Sequence, residues 1–150
     1  MLGCAVLALT VPALPSCTAG GPSPCTPTPV TKHGDVPSVQ ASPATAAIVG
    51  ILTDGHVPRP DQPTHILWLV DVRRAAPTMH LIAGRQNVNQ SFQQTVKRTR
   101  ISGTRAEYDS TLRFPTAGCW MVQASTGPAQ ATVTFDIKPS KAGNAAEEPK

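Results

Sequence analysis

The sequence predicts an all-β protein, an antiparallel β-sandwich behind an N-terminal stalk. Three observations carry this. Several short segments between residues 45 and 138 alternate apolar and polar side chains, the period-two signature of half-buried strands. Turn signals rich in Gly, Pro and Asp separate them at short intervals, as sandwiches require. No window holds an apolar stripe at helical spacing of useful length, and 16 prolines in 150 residues favour turns and extended chain. Aromatic residues make up only 4% of the chain, so the core must rest mostly on Val, Ile, Leu and Ala.

The chain opens with "MLGCAVLALTVPALPSC", an apolar run with no charged side chain. A membrane-spanning helix needs roughly 20 apolar residues; this run is shorter and contains Pro12 and Pro15. It fits the core of a signal peptide, about 7 to 15 apolar residues long, and residues 1–16 are expected to be one. Leu14-Pro15-Ser16-Cys17 resembles a bacterial lipoprotein box: an aliphatic residue, two small ones, then the Cys that receives lipid. Cys17 is the expected lipidation site, with ordinary secretion as the alternative. Residues 17–43 are rich in Pro and Thr and poor in large apolar side chains, and are expected to form an extended tether.

The domain is expected at 44–138. "TAAIVGIL" (45–52) is a short apolar run closed by the Asp54-Gly55 turn signal. "THILWLVDV" (64–72) puts Ile66, Trp68, Val70 and Val72 on one face, and Leu67 and Leu69 on the other suggest cover on both sides. "TMHLIAG" (78–84) alternates less cleanly. Residues 85–107 are polar, with Phe92, Val96 and Ile101 among their few large apolar groups. Within them 91–101 is read as one edge strand, because exposed charges discourage edge pairing with another molecule; a long loop is the alternative. "YDSTLRF" (108–114) sets Ser110, Leu112 and Phe114 on one face. "CWMVQAS" (119–125) follows a turn, and Trp120 is expected in the core with a partner for its ring N–H. "ATVTFDIK" (131–138) alternates most cleanly. The tail, 139–150, is small and polar and is expected to be disordered.

Of the four cysteines, Cys4 leaves with the leader and Cys17 would carry lipid. Cys25 and Cys119 remain, and export permits a disulfide between them. Two free thiols, or Cys25 as the lipidated residue, are the alternatives. Cys119 as a nucleophile would need a neighbouring base, and none stands beside it in sequence. His33, His56, His65 and His80 have no recognised metal spacing. A soft copper site from Met79, His80 and Met121, with Cys119 if free, is the weaker alternative. Lys97, Arg98, Arg100 and Arg105 form a basic cluster, with Arg85 a candidate neighbour. It could bind an anionic polymer or headgroups, against the plainer reading of a solvated edge. Without interleaved aromatics it offers no stacking platform for single-stranded nucleic acid. Asp71 beside Arg73 and Arg74 reads as a structural ion pair. No nucleophile-elbow, metalloprotease, phosphate-loop or calcium-loop motif is present.

"STLRFPTAGCWMVQASTGPAQATVTFDI", "PCTPTPVT" and "HILWLVDVRRAAPTMHLIAGRQ" together resemble a group of uncharacterised bacterial secreted or lipid-anchored proteins. Their signature is a strand ending in Phe-Pro, then Gly-Cys-Trp, a strand, a Gly turn and a last strand. The resemblance implies an immunoglobulin-like fold and a Cys25–Cys119 bridge; it brings no activity, cofactor or ligand. The chain departs from the pattern at 85–107 and at Met121. The function expected is a non-enzymatic binding or accessory module at the bacterial cell envelope, held to the membrane by a lipid anchor. Its expected partner is an anionic envelope polymer or a protein, not nucleic acid, and no cofactor is expected. A copper-handling protein and a structural domain of an envelope complex are the alternatives.

Overall fold

The structure, a computed structural model, describes residues 24–140. The expected signal peptide, Cys17, the first part of the tether and residues 141–150 lie outside the described residues. Nine antiparallel strands follow in order: β1 Val30–His33, β2 Val36–Gln40, β3 Ile48–Leu52, β4 Pro63–Asp71, β5 Thr78–Arg85, β6 Ser91–Ser102, β7 Arg105–Arg113, β8 Gly118–Thr126 and β9 Ala129–Ile137. They form one sheet in the order β1-β2-β3-β4-β7-β6-β5-β8-β9. The sheet curls until its ends meet. Ser42, just past β2, exchanges two backbone hydrogen bonds with Thr132 on β9, at 2.9 and 2.7 Å, and Thr28 N–H donates to the Thr134 carbonyl at 2.8 Å.

The strands form because alternate side chains have a core to enter. On β9, Ala131, Val133, Phe135 and Ile137 are buried between half-exposed Thr132, Thr134 and Asp136. On β4, Thr64, Ile66, Trp68 and Val70 point inward, and on β7 Ala106, Tyr108, Ser110 and Leu112 do. Four aromatic rings close one end of the core: Phe114 lies 5.5 Å from Trp120, 5.7 Å from Phe92 and 5.9 Å from Phe135, all near edge-on. Polar atoms drawn inside find partners, as burial demands. Trp68 Nε1–H donates to Ser110 Oγ at 2.9 Å, and Trp120 Nε1–H donates to the Thr116 carbonyl at 2.9 Å.

Three expectations change. Residues 30–40, expected as tether, form the β1–β2 hairpin, which pairs with β3. The folded unit therefore takes in the segment from Cys25 instead of beginning at 44. Segment 91–101 is a strand, β6, but not an outer edge. Its first half, Ser91 to Lys97, pairs with β5 and its second half, Arg98 to Ser102, pairs with β7. It is the seam along which the curled sheet passes from a front half (β1-β2-β3-β4-β7) to a rear half (β6-β5-β8-β9). Phe92 and Val96 on its first half face the core, and from Lys97 onward no side chain of the strand is buried, which is why so few of its residues are apolar. Finally, Leu67 and Leu69 are half-exposed on the outer face of β4, covered by no second layer among the described residues, and Val72 has left the strand for a short 3₁₀ turn, Val72–Arg74.

Candidate functional site: a basic end opposite the disulfide

Cys25 and Cys119 are bonded, with Cα atoms 5.5 Å apart and a sequence separation of 94. Cys119 is the second residue of β8 and pairs with Asp136. The bridge therefore pins the N-terminal segment to one end of the molecule. Arg85 lies at this same end. It pairs across to Trp120, and its guanidinium covers Gly118 so closely that an added Cβ there would lie 2.5 Å from Nε. It is not a neighbour of the basic cluster.

β8 then runs about 26 Å, at ~3.3 Å per residue, to Thr126 at the opposite end. Register places the cluster there. Lys97 pairs with Thr78, Arg98 with Tyr108, Arg100 with Glu107, and Arg105 with both Ser102 and Asp71. The two-residue Gly103-Thr104 turn joins β6 to β7, and the Thr104 carbonyl accepts from Val72 N–H at 2.9 Å. That bond brings the 3₁₀ turn, with Arg73 and Arg74, onto the same end. In the sequence these two arginines neighbour Asp71 alone; a hairpin turn facing the end of β4 adds them to the cluster.

Hydrogen bonds join the platform under this end. Tyr108, fully buried, donates its hydroxyl hydrogen to the Ala76 carbonyl. Thr126 Oγ1 accepts from Ala76 N–H at 2.9 Å and donates to the Thr78 carbonyl at 2.8 Å. These bonds fix the crossing from β4 to β5.

Six cations (Arg73, Arg74, Lys97, Arg98, Arg100, Arg105) meet three carboxylates here (Asp71, Glu107, Asp109), a surplus of three within a chain of net charge +4. Two are paired: Arg73 with Asp71 at 2.8 Å and Arg100 Nε with Glu107 at 2.6 Å. Arg73 donates to the Asp71 carboxylate from both side chain and backbone, which lowers that carboxyl to about pKa 2. The same contact raises Arg73, and Glu107 raises Arg100. Arg74 donates to the Thr45 carbonyl. Lys97, Arg98 and Arg105 have no salt-bridge partner among the described residues.

The soft-metal set is not assembled. Met79 is fully buried, whereas His80 and Met121 point outward, and they stand four register positions apart because Met121 pairs with Gly84. Cys119 is taken by the disulfide. His80 instead sits 3.0 Å from the Thr95 hydroxyl. Among the described residues no three His, Cys, Asp or Glu converge as a metal site would need. Two adjoining hollows lie near the disulfide end. One, of about 210 Å³, is lined by Pro27, Val30, Val57, Pro58, Phe135 and Ile137. The other, of about 470 Å³, is lined by Arg59, Gln62 and Lys138 among others. Its Lys138 is already paired to Asp136. No helix among the described residues is long and apolar enough to cross a membrane. No family model, curated protein or solved structure matches the chain.

Proposed function

We propose that the protein is an extracytoplasmic, non-enzymatic binding module of the bacterial envelope, lipid-anchored at Cys17, with the basic end as its working surface. The observation that carries this reading is the Cys25–Cys119 bridge. Disulfides persist in exported proteins and are rare in reducing compartments. With Cys25 bonded to Cys119, Cys17 is the cysteine beyond the expected leader that remains for a lipid. The surplus positive charge, gathered at one end on a hydrogen-bonded platform, supports an anionic partner.

The same reading takes the fold to be immunoglobulin-like, on the strength of strand order. β3, β4 and β7 lie together, as do β5, β8 and β9, and β6 pairs with both sets. Seven-stranded constant-type domains group the first two and fifth strands apart from the third, sixth and seventh in the same way. Their fourth strand is kept on the first sheet, where β6 here reaches both. A partner domain for another envelope protein is the second reading. It is favoured by the half-exposed apolar strip of Val49, Leu67 and Leu69 on the outer front face.

The test is intact mass of protein recovered from a bacterium that processes lipoproteins, with thiol alkylation before and after reduction. The expected product begins at Cys17, carries acyl chains, and takes up two alkyl groups only after reduction. An unlipidated chain whose thiols react without reduction would overturn the proposal.

A further inference from the structure

Lys97, Arg98 and Arg105 have no salt-bridge partner among the described residues and, unlike Arg74, no side-chain bond to a backbone carbonyl; these three cations do not share a plane. Lys97 follows Ser91, Gln93 and Thr95 on the outer face of the rear half, all exposed. Arg105 is exposed on the front half, beside the Arg100–Glu107 pair. Between them the register of β6 shifts at a bulge from Arg98 to Arg100, and Arg98 sits half-buried at the crossing. The outer faces of the two halves look away from each other. The cations therefore describe an arc over the end of the molecule. A bilayer is flat on this scale and meets one limb of such an arc at a time. A flexible chain can follow all of it.

Position argues the same way. Cys17 precedes Cys25 by eight residues, a span of at most about 28 Å fully extended. Cys25 is fixed at the start of β8, and the basic end stands at the far end of that strand. To reach its own membrane the basic end would need that span to run almost fully extended back along the ~26 Å of β8, or the domain to lie over on a broad face. Between Lys97 and Asp136 the rear outer face presents Ile82, Gln93, Thr95, Gln123, Ser125 and Thr132, with no formal charge to hold it there.

We propose that the basic end binds a flexible anionic polymer of the polyphosphate or phosphodiester class lying beyond the anchoring membrane, and not the headgroups of that membrane. This rests on the anchored, non-enzymatic reading above. Binding of this kind releases counterions from the polymer and weakens steeply with salt.

The test uses the full chain carrying Cys17→Ser, so that lipid cannot drive binding, against long-chain polyphosphate and against phosphatidylglycerol vesicles. Polyphosphate affinity is expected to fall at least tenfold in Lys97→Ser/Arg98→Ser/Arg105→Ser. A matched triple from elsewhere, Lys32→Ser/Arg59→Ser/Lys138→Ser, removes equal charge and is expected to stay within twofold. Lys97→Ser/Arg105→Ser spares half-buried Arg98 and is expected to lose at least threefold, so a folding defect in the first triple would not obscure the result. Equal losses in both triples, or no polyphosphate binding, overturn the proposal. Vesicle binding as tight as polyphosphate binding, lost in the same variants, overturns it in favour of a headgroup site. Failure of lipidation shows in the mass measurement and leaves the polymer result standing on its own.

Discussion

Asp71 shows how much one residue settles at the basic end. It closes β4, accepts from Arg73 N–H at 2.9 Å to start the 3₁₀ turn, and pairs with the Arg73 guanidinium. Its carboxyl falls from 3.8 to about 2 in the folded protein. A depressed carboxyl stabilises the fold above its unfolded pKa and loses that contribution as pH drops through the folded value. The Tm of the native chain should therefore exceed that of Asp71→Asn by a constant, small margin above about pH 4. The margin should shrink between pH 4 and 2 and vanish below. Asn keeps an oxygen for the Arg73 N–H, so a pH-independent gap in thermal melts would assign the effect to the turn and not to the charge. The Asp71 ion pair was legible in sequence because its partner is two residues away. The buried Tyr108–Ala76 and Thr126–Thr78 bonds were not, since they join residues 32 and 48 apart.

Among the elements, the segments with a clean period of two appear where the pattern put them, shifted by a residue or two. β9 and β4 are the plainest, because one face of each meets the core and the other does not. The β1–β2 hairpin was missed for a physical reason. Proline content masked it, although Gly34-Asp35 between "VTKH" and "VPSVQ" is a two-residue turn signal, and Gly34 takes φ +65°, where a side chain is strained. Limited proteolysis tests the correction: the resistant fragment should begin before Thr28, which bonds to β9. A stable fragment starting near residue 44 would return 30–40 to the tether. β6 was recognised as a strand but misplaced, since a seam and an outer edge have the same polar composition.

For the molecule as a whole, the disulfide acts mainly through the unfolded chain. It joins positions separated by 94 in sequence, a loop for which chain entropy gives somewhat under 5 kcal/mol, an upper figure. Cys25→Ser should lower the unfolding free energy by several kcal/mol of that amount, read as the denaturant midpoint. Reducing the native protein should bring its midpoint down to the variant's. A variant matching the oxidised protein would mean the bridge constrains nothing that the β-sheet does not already hold. At this scale the bridge also sets polarity: one end tied to the N-terminal segment, the other carrying the charge surplus.

The sequence by itself determined the all-β class, most strands, the inward set on β4 (Val72 apart), β7 and β9, and the Cys25–Cys119 pairing as the expected one. These follow from local alternation and from counting, which need no neighbour. Only the tertiary structure decided that Arg73 and Arg74 join Lys97, Arg98, Arg100 and Arg105, and that Arg85 does not. It alone separated Met79 from His80 and Met121, and placed the basic end opposite the bridge. Those outcomes depend on strand register and on the curl of the sheet, which join residues far apart in the chain and leave no periodic trace in it.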